Sequence, residues 1–392
     1  MPTYAQTISP DNLLLAMGIF CELHAFLTLF KWCALVPYVP NGSRTRVRRI
    51  YRRYLLQILL ALLVILVVTY LRATVLNEYS LFLNNLSYVM WLMAAMVDTF
   101  VICLILIANG LNALNYETLI ETLERIELAL DGWIVGQQRR HSDPQYRWLA
   151  RLSFLLCIVY HLYGFFGNFV GNVHLVLQIR WELMITDLYL CHALLLLYAV
   201  GQCAHGLRSM CRDAMDRNDV SELCAVLRLR EDLLQCVTLI NRIYGVLFMG
   251  VSASWLVSIT CIVYFDFIYG GLQLNPNHPY ALEHSIMLIW KSLLVTGLFG
   301  VAGTVADKVK QITQSTQLCS IVSLSNRPLA NMIDKLLIKC HFQDIHFTVY
   351  GLFTIDNGLN YMIFSSTITY LVIITQFRQL EIENESKVKG SV

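Results

Sequence analysis

The chain has 392 residues, of which 57% are hydrophobic and only 14% are charged, and its formal net charge is +2. A typical soluble domain carries about 25% charged residues, so the composition argues against a soluble protein, and the small net charge argues against a nucleic-acid partner. We therefore predict an all-α membrane protein in contact with lipid, and we expect neither a cofactor nor a metal site.

The amino-terminal region, residues 1–53, is predicted to be a cytosolic segment. Its apolar stretch Asn12–Leu35 contains Glu22, His24 and Lys31. Charges at the centre of a bilayer cost a few kcal/mol each on insertion scales. We therefore predict a re-entrant or interfacial helix here instead of a full span.

Residues 54–377 are predicted to form a seven-helix channel domain. Crossing the hydrocarbon core takes about 20 apolar residues in a helix. The seven apolar runs are Tyr54–Leu71, Leu81–Ala108, Trp148–Phe169, Leu183–Gly201, Ile243–Ile268, Ser285–Val305 and Tyr350–Phe377. None of the eight prolines lies inside them. Because proline costs about 3 kcal/mol in a helix interior, this absence favours unbroken helices.

Basic residues alternate between the loops and thereby predict the orientation. The segment before the first run holds six arginines between Asn41 and Arg53, whereas residues 269–284 contain no lysine or arginine. Basic loops stay in the cytosol, so seven spans place the amino terminus inside and the tail, residues 378–392, outside. The sequons at Asn85 and Asn384 then face outwards and are candidate glycosylation sites.

The long internal segments are also informative. Segments of about 40 residues around positions 110–147, 205–242 and 306–349 show amphipathic helical spacing. We therefore expect the spanning helices to continue beyond the membrane as cytosolic helical extensions.

The seventh run carries a short motif. Thr369 and Tyr370 are followed by five apolar or small residues and then by Gln376 and Phe377. This pattern, in the last span of an inverted seven-helix protein, resembles the signature helix of the insect gustatory receptors.

The resemblance implies a ligand-gated, non-selective cation channel at the plasma membrane of sensory neurons, in their dendrites. It also implies a homotetramer or heterotetramer with other gustatory receptor subunits around a pore lined by the seventh helix, with a pocket for small-molecule tastants within each subunit. Gln376 and Phe377 would lie at the gate. The sugar-sensing branch often has an acidic residue where this chain has Leu371, which favours bitter or repellent ligands.

A helical wheel supports a pore-facing surface. Gln376 shares a face with Ile373 and Thr369. Such a face contains two kinds of group. Its apolar side chains can close a pore by dewetting, and its amides can support hydrated cations. The alternatives are that Gln376 caps the helix end, Tyr370 packs at the interface, and Thr369 bonds back to its own helix.

Candidate ligand contacts lie in the outer halves of the spans, where pockets of bundles are mostly apolar with a few polar groups. They are Tyr88, Trp91, Tyr163, Asp187, Tyr189, Trp255, Asp266 and Trp290. A carboxylate among aromatic rings suits a protonated alkaloid. Alternatively, the aromatic residues form an interfacial belt, and Asp187 or Asp266 pairs with Lys291 to hold the bundle together.

Other functions fit less well. The chain has none of the short motifs of hydrolases or nucleotide-binding enzymes, so we do not expect an enzyme. An insect olfactory receptor channel is the nearest alternative, followed by a sugar-type gustatory receptor. A secondary transporter would show repeated halves and broken helices, and neither is evident in this sequence.

Overall fold

The computed structural model describes Phe30 and residues 54–67, 69–70, 85–137, 144–167, 173–217, 219–273, 279–320 and 345–390. Most of them are helical, which confirms the predicted all-α fold. The helices are α1 (Tyr54–Val67), α2 (Asn85–Leu111), α3 (Ala113–Gln137), α4 (Pro144–Gly167), α5 (Val173–Asp216), α6 (Val220–Gln273), α7 (Pro279–Ser320) and α8 (Asn357–Gly390). The predicted segment Asn12–Leu35 lies outside the described residues apart from Phe30.

Within the described residues, five helical segments are long and apolar enough to cross a membrane. They are Leu92–Leu111, Leu183–Asp216, Ser221–Tyr264, Ile286–Ile312 and Asn357–Leu380. Two shorter apolar helices, Tyr54–Val67 and Leu152–Tyr163, accompany them. Each of the seven predicted runs overlaps one of these segments. The orientation of the chain across the membrane stays a prediction.

The long helices extend well past their apolar runs. Helices α5, α6 and α7 contain 44, 54 and 42 residues. At about 1.5 Å per residue they are roughly 66, 81 and 63 Å long, twice the thickness of the hydrocarbon core or more. Helix α3 occupies most of the first predicted internal segment with a further 25 residues. The predicted extensions are therefore helical over residues 113–137, 205–216, 220–242 and 306–320, whereas residues 321–344 lie outside the described part.

A tight turn separates α5 from α6, and Asp219 caps the second helix. Its Oδ1 accepts hydrogen bonds from the backbone N–H groups of Ser221 (2.9 Å) and Glu222 (3.2 Å). These bonds satisfy two of the amide donors that every helix start leaves unpaired. The pKa of the Asp219 carboxyl is lowered, first by the bond from the Glu222 backbone N–H.

Helix α5 forms the centre of the bundle. It contacts α3, α4, α6 and α7, and 83% of its most apolar stretch is buried, compared with 22% in α8. A helix that is apolar on all sides can be surrounded by other helices, and the leucine-rich run of α5 is apolar on all sides. Helix α8 lies on the periphery of the single chain, against α6 and α7.

The start of the last helix differs from the prediction. The apolar run begins at Tyr350, but a β-hairpin occupies that region, with β1 (Thr348–Val349) antiparallel to β2 (Phe353–Thr354). Tyr350 and Gly351 form its turn with positive φ angles of 48° and 75°. Hydropathy alone does not register this left-handed turn, which glycine adopts without strain.

Helix α8 begins at Asn357 because Asp356 caps it. Asp356 Oδ1 accepts from the backbone N–H groups of Gly358 (2.8 Å) and Leu359 (3.2 Å). The helix then continues to Gly390, so the predicted tail from residue 378 is helical in its described part.

The hairpin is attached to α6. The side chain of Asn241 donates to the backbone carbonyl of His346 (3.0 Å) and accepts from the backbone N–H of Thr348 (3.1 Å). One turn further on, a Cβ placed on Gly245 would lie 3.1 Å from the Tyr350 ring. The absence of a side chain at Gly245 therefore allows the hairpin turn to approach α6 closely.

Candidate functional site

A small cavity lies between α5, α6 and α7. The space open to the centre of a water molecule is about 20 Å³, which is enough for about one water. Its lining is mostly apolar and comprises Thr186, Asp187, Leu190, Val251, Ser254, Trp255, Lys291, Leu294 and Val295. An apolar wall with a few convergent polar groups is typical of small-molecule sites.

Asp187 on the cavity wall is hydrogen-bonded from two sides. Its carboxylate is 2% exposed, and its Oδ2 lies 3.1 Å from His161 Nε2 and accepts from Trp290 Nε1 at 2.8 Å. The Trp290 ring stacks on Tyr160, with 5.2 Å between the ring centroids. A buried carboxylate requires such partners, and these connect α4, α5 and α7.

A second group of polar side chains includes Ser254 and Lys291 of the cavity lining. Asp98 of α2 accepts a hydrogen bond from Ser254, and its Oδ2 is 4.0 Å from Lys291 Nζ. Lys291 therefore pairs with Asp98, and the sequence-based pairing of Lys291 with Asp187 is wrong. The side chain of Asp266, the other predicted partner, lies outside the described residues.

Trp255 connects the cavity to the last helix. It is 2% exposed, and its indole Nε1 has no hydrogen-bond partner among the residues that the structure describes. Its ring meets Phe364 of α8 edge-on, at 5.2 Å between centroids and 81° between planes. Movement of the cavity wall at Trp255 would therefore be transmitted to α8 by direct contact.

The remaining predicted pocket residues lie elsewhere or are not described. Tyr189 is buried in the core, where its hydroxyl donates a hydrogen bond to Asn109. It does not share the cavity-facing side of α5 with Asp187, because residues two positions apart do not face the same side of a helix. Tyr163 is half exposed on the surface of α4. Side chains that fall outside the described part are those of Tyr88, Trp91 and Asp266, and of the predicted glycosylation sites Asn85 and Asn384.

A histidine that the sequence analysis did not select lies at the centre of the core. His192 is 0% exposed, with Nε2 3.1 Å from the Tyr116 hydroxyl and Nδ1 2.7 Å from the Tyr244 hydroxyl. The Phe30 ring lies 4.9 Å from the imidazole. His192 and His161 both occur within apolar runs, and that position is the signal by which they could have been found.

The motif residues divide between two faces of α8. Leu371 and Ile374 pack against the cluster formed by Met90, Cys261 and Tyr264. Four of the five predicted pore and motif residues, Tyr370, Ile373, Gln376 and Phe377, are exposed in the single chain, Phe377 at 61%.

Thr369 is also exposed, and its hydroxyl donates to the backbone carbonyl of Ser365 at 3.1 Å. The bond back to its own helix is thus observed, and it leaves the threonine on the same unpacked side as Gln376. One side of α8 therefore packs on its neighbours, while the side with the predicted pore residues stays open.

Comparison with known proteins gives consistent matches. The sequence pattern of the family described as 7tm chemosensory receptor matches residues 23–381. Among Drosophila melanogaster proteins, gustatory and pheromone receptor 32a is 33% identical over 167 residues, 43% of this chain and 33% of its own length. Gustatory receptor 68a is 42% identical over 79 residues, 20% of each chain. These two alignments thus cover a third or less of the relatives.

Solved structures show the same fold at low sequence identity. The insect olfactory receptor OR5 from Machilis hrabei superposes with a TM-score of 0.64 and 10% identity, covering 94% of this chain and all of that chain. The structure of that receptor in complex with eugenol gives a TM-score of 0.57 and 8% identity over the same shares.

Proposed function

The chain belongs to the 7tm chemosensory receptor family, and on this premise we propose that it is a gustatory receptor acting as a ligand-gated, non-selective cation channel. Its stimuli would be contact chemicals, chiefly bitter or repellent compounds. The family consists of receptors, so the chain is a multi-pass membrane receptor and not an enzyme. We place it in the plasma membrane of sensory neurons, at their dendrites.

The observation that carries the proposal is the open face of α8. In the single chain this helix leaves Thr369, Ile373 and Gln376 uncovered, and hydroxyl and amide groups facing lipid would be unfavourable. Closed symmetric assembly would remove them from lipid. In a homotetramer, or a heterotetramer with other gustatory receptor subunits, four copies of α8 would surround a central axis.

The gate would lie at the end of the motif. A ring of Phe377 side chains closes a narrow pore by dewetting, whereas a ring of Gln376 amides supports hydrated cations. The two residues are adjacent in sequence, so a rotation of α8 by about 100° exchanges one ring for the other. Such a rotation requires a signal from the ligand site.

Trp255 supplies the route for that signal. A tastant of ten or more heavy atoms is much larger than the present cavity, so its entry must move the wall that includes Trp255. Trp255 packs on Phe364 of α8, and the displacement would reach the pore helix. The eugenol complex of a receptor with the same fold supports a small organic molecule as the class of ligand.

A contact pheromone is the second candidate ligand. Relatives with matching segments are called gustatory and pheromone receptors in Drosophila melanogaster, among them 32a and isoform B of 39a. The latter is 22% identical over 262 residues, 63% of this chain and 67% of its own length. The two ligand classes separate experimentally, because a panel can contain both bitter compounds and involatile apolar lipids.

Current recording tests the proposal. The full chain, alone and with candidate partner subunits, is expressed in cells with G-protein signalling blocked, and tastants are applied in solution. We expect cation currents within milliseconds, a raised basal current in Phe377→Ala and a reduced unitary conductance in Gln376→Leu. Tyr361→Phe is the control, because this exposed residue lies about 22 Å before Gln376 along α8 and therefore far from the proposed gate.

Three results would contradict the channel. One is a current abolished by the G-protein block. Another is solute uptake that saturates without unitary openings, which indicates a transporter. The third is unaltered permeation and gating in both motif variants at normal surface expression. Activation by vapours alone would favour the olfactory alternative, and activation by sugars would favour the sugar-type receptor.

A further inference from the structure

We infer that the cavity between α5, α6 and α7 binds neutral ligands through a hydrogen-bond-accepting oxygen, such as a carbonyl, and disfavours protonated amines. The inference rests on the proposed function and names the chemical class of its ligand. It differs from the expectation from sequence, in which a carboxylate in this region binds a protonated alkaloid.

The carboxylates beside the cavity already have partners. Asp187 is held by His161 at 3.1 Å and by Trp290 at 2.8 Å, and Asp98 accepts a hydrogen bond from Ser254 and lies 4.0 Å from the Lys291 ammonium group. A protonated amine would have to compete with these donors after losing its own hydration. Burying such a cation without a vacant counter-ion is costly.

Two hydrogen-bond donors of the cavity lining, Trp255 and Lys291, can accept a further partner. Trp255 Nε1 is buried and lacks a hydrogen-bond partner within the described chain. Lys291 Nζ is 4.0 Å from Asp98 Oδ2, beyond the usual 2.7–3.2 Å range of an N–H···O hydrogen bond. Both side chains line the cavity. An accepting oxygen between them would satisfy a buried donor whose unpaired state is otherwise unfavourable.

The charges around the cavity favour a neutral ligand. Lys291 is a cation on the wall, so a second cation would be repelled in a medium of low dielectric constant. An anion would be repelled by the Asp187 carboxylate on the wall. His161 faces Asp187 from α4, and Cys157 on the same helix interacts with both of them. A neutral carbonyl compound adds no charge to this arrangement and gains the hydrogen bonds.

Three probes with one skeleton test the inference: 1-tetralone carries a carbonyl, 1-aminotetralin carries an ammonium group at neutral pH, and tetralin carries neither. Binding to the purified full chain is measured by thermal stabilisation, and gating is measured by current. We expect 1-tetralone to bind at least about tenfold more tightly than either of the others, the ratio that one hydrogen bond to a charged or buried donor provides.

Variants identify the donors. Trp255→Phe, which keeps an aromatic ring against Phe364, should raise the dissociation constant for 1-tetralone about tenfold. The paired variant Asp98→Asn with Lys291→Met should have the same effect without leaving the half-buried Asp98 carboxylate unpaired. Trp133→Phe is the matched control, because it also removes a buried indole N–H without a partner in the described chain, but in α3.

The outcomes separate the two proposals. The inference is overturned if 1-aminotetralin binds as tightly as 1-tetralone, if neither variant weakens binding, or if 1 mM 1-tetralone produces no stabilisation. Selective binding without any current would support the ligand class and contradict the channel. Currents evoked equally by the amine and the ketone would support the channel and overturn the ligand class.

Discussion

Replacing His192 with leucine is expected to destabilise the fold strongly. The imidazole contacts the hydroxyl of Tyr116 at 3.1 Å and that of Tyr244 at 2.7 Å, and both tyrosines are almost fully buried. Leucine fills much of the space but offers no polar atom. Two hydroxyl groups would then lose a hydrogen-bond partner in the core, where three helices meet.

The magnitude follows from those two hydroxyls. A buried polar group left unsatisfied costs about 1–3 kcal/mol, so the variant should lose about 2–6 kcal/mol of unfolding free energy. Removing the hydroxyls as well, in the triple variant Tyr116→Phe, His192→Leu and Tyr244→Phe, should recover most of that loss. When every partner of a buried hydrogen bond is replaced by an apolar group of similar shape, the free energy of unfolding can stay nearly unchanged.

Equilibrium unfolding of the full chain in mixed micelles, followed by helical ellipticity, measures these free energies. Arg212→Ala, an exposed position on the same helix, is the control and should change stability by no more than about 0.5 kcal/mol. The reasoning fails if the single variant loses less than about 1 kcal/mol. It fails equally if the triple variant is no more stable than the single one.

Three further predictions concern helix starts and the hairpin. Asp356→Ala should destabilise the first turn of α8 by about 1 kcal/mol and Asp356→Asn by much less, measured by amide hydrogen exchange; equal effects would show that the cap does not matter. Asn241→Ala should make the hairpin before α8 sensitive to protease while α6 stays protected, and an unchanged cleavage rate would contradict its anchoring role. The pKa of Asp219 is lowered by folding. The Glu222 amide should therefore be protected from hydrogen exchange at pH values above the ordinary pKa of a carboxyl group, and this protection should be lost as the pH falls through the lowered pKa. A pH-independent opening rate, or the same pH dependence in Asp219→Asn, would refute this prediction.

The helices could be predicted from sequence because their signal is local. Proline-free apolar runs of bilayer length coincide with helical segments, and the amphipathic spacing after Gly201 continues as helix to Asp216. The start of α8 was placed too early, because average hydropathy does not distinguish the left-handed turn at Gly351 from a helix. There the local signals were the glycine and the capping Asp356.

The partners of the buried charges could not be predicted in the same way. Asp187 meets Trp290, 103 positions away in sequence, and Lys291 meets Asp98 of another helix. Such pairings depend on how each helix is rotated about its axis and on its height in the bundle. Both are set by packing between helices, and periodicity within one helix contains no information about either.

Helix α6 is a single uninterrupted helix that contacts α8, or the hairpin before it, at two levels. Asn241 holds the loop from which α8 starts, and Trp255, 14 positions and about 21 Å further along, presses on Phe364. Two separated attachment points therefore couple α8 to α6 along its length. The proposed rotation of α8 would displace both contacts, so a tilt of α6 would accompany it, and a flexible insertion between the two contacts would uncouple stimulus from conduction.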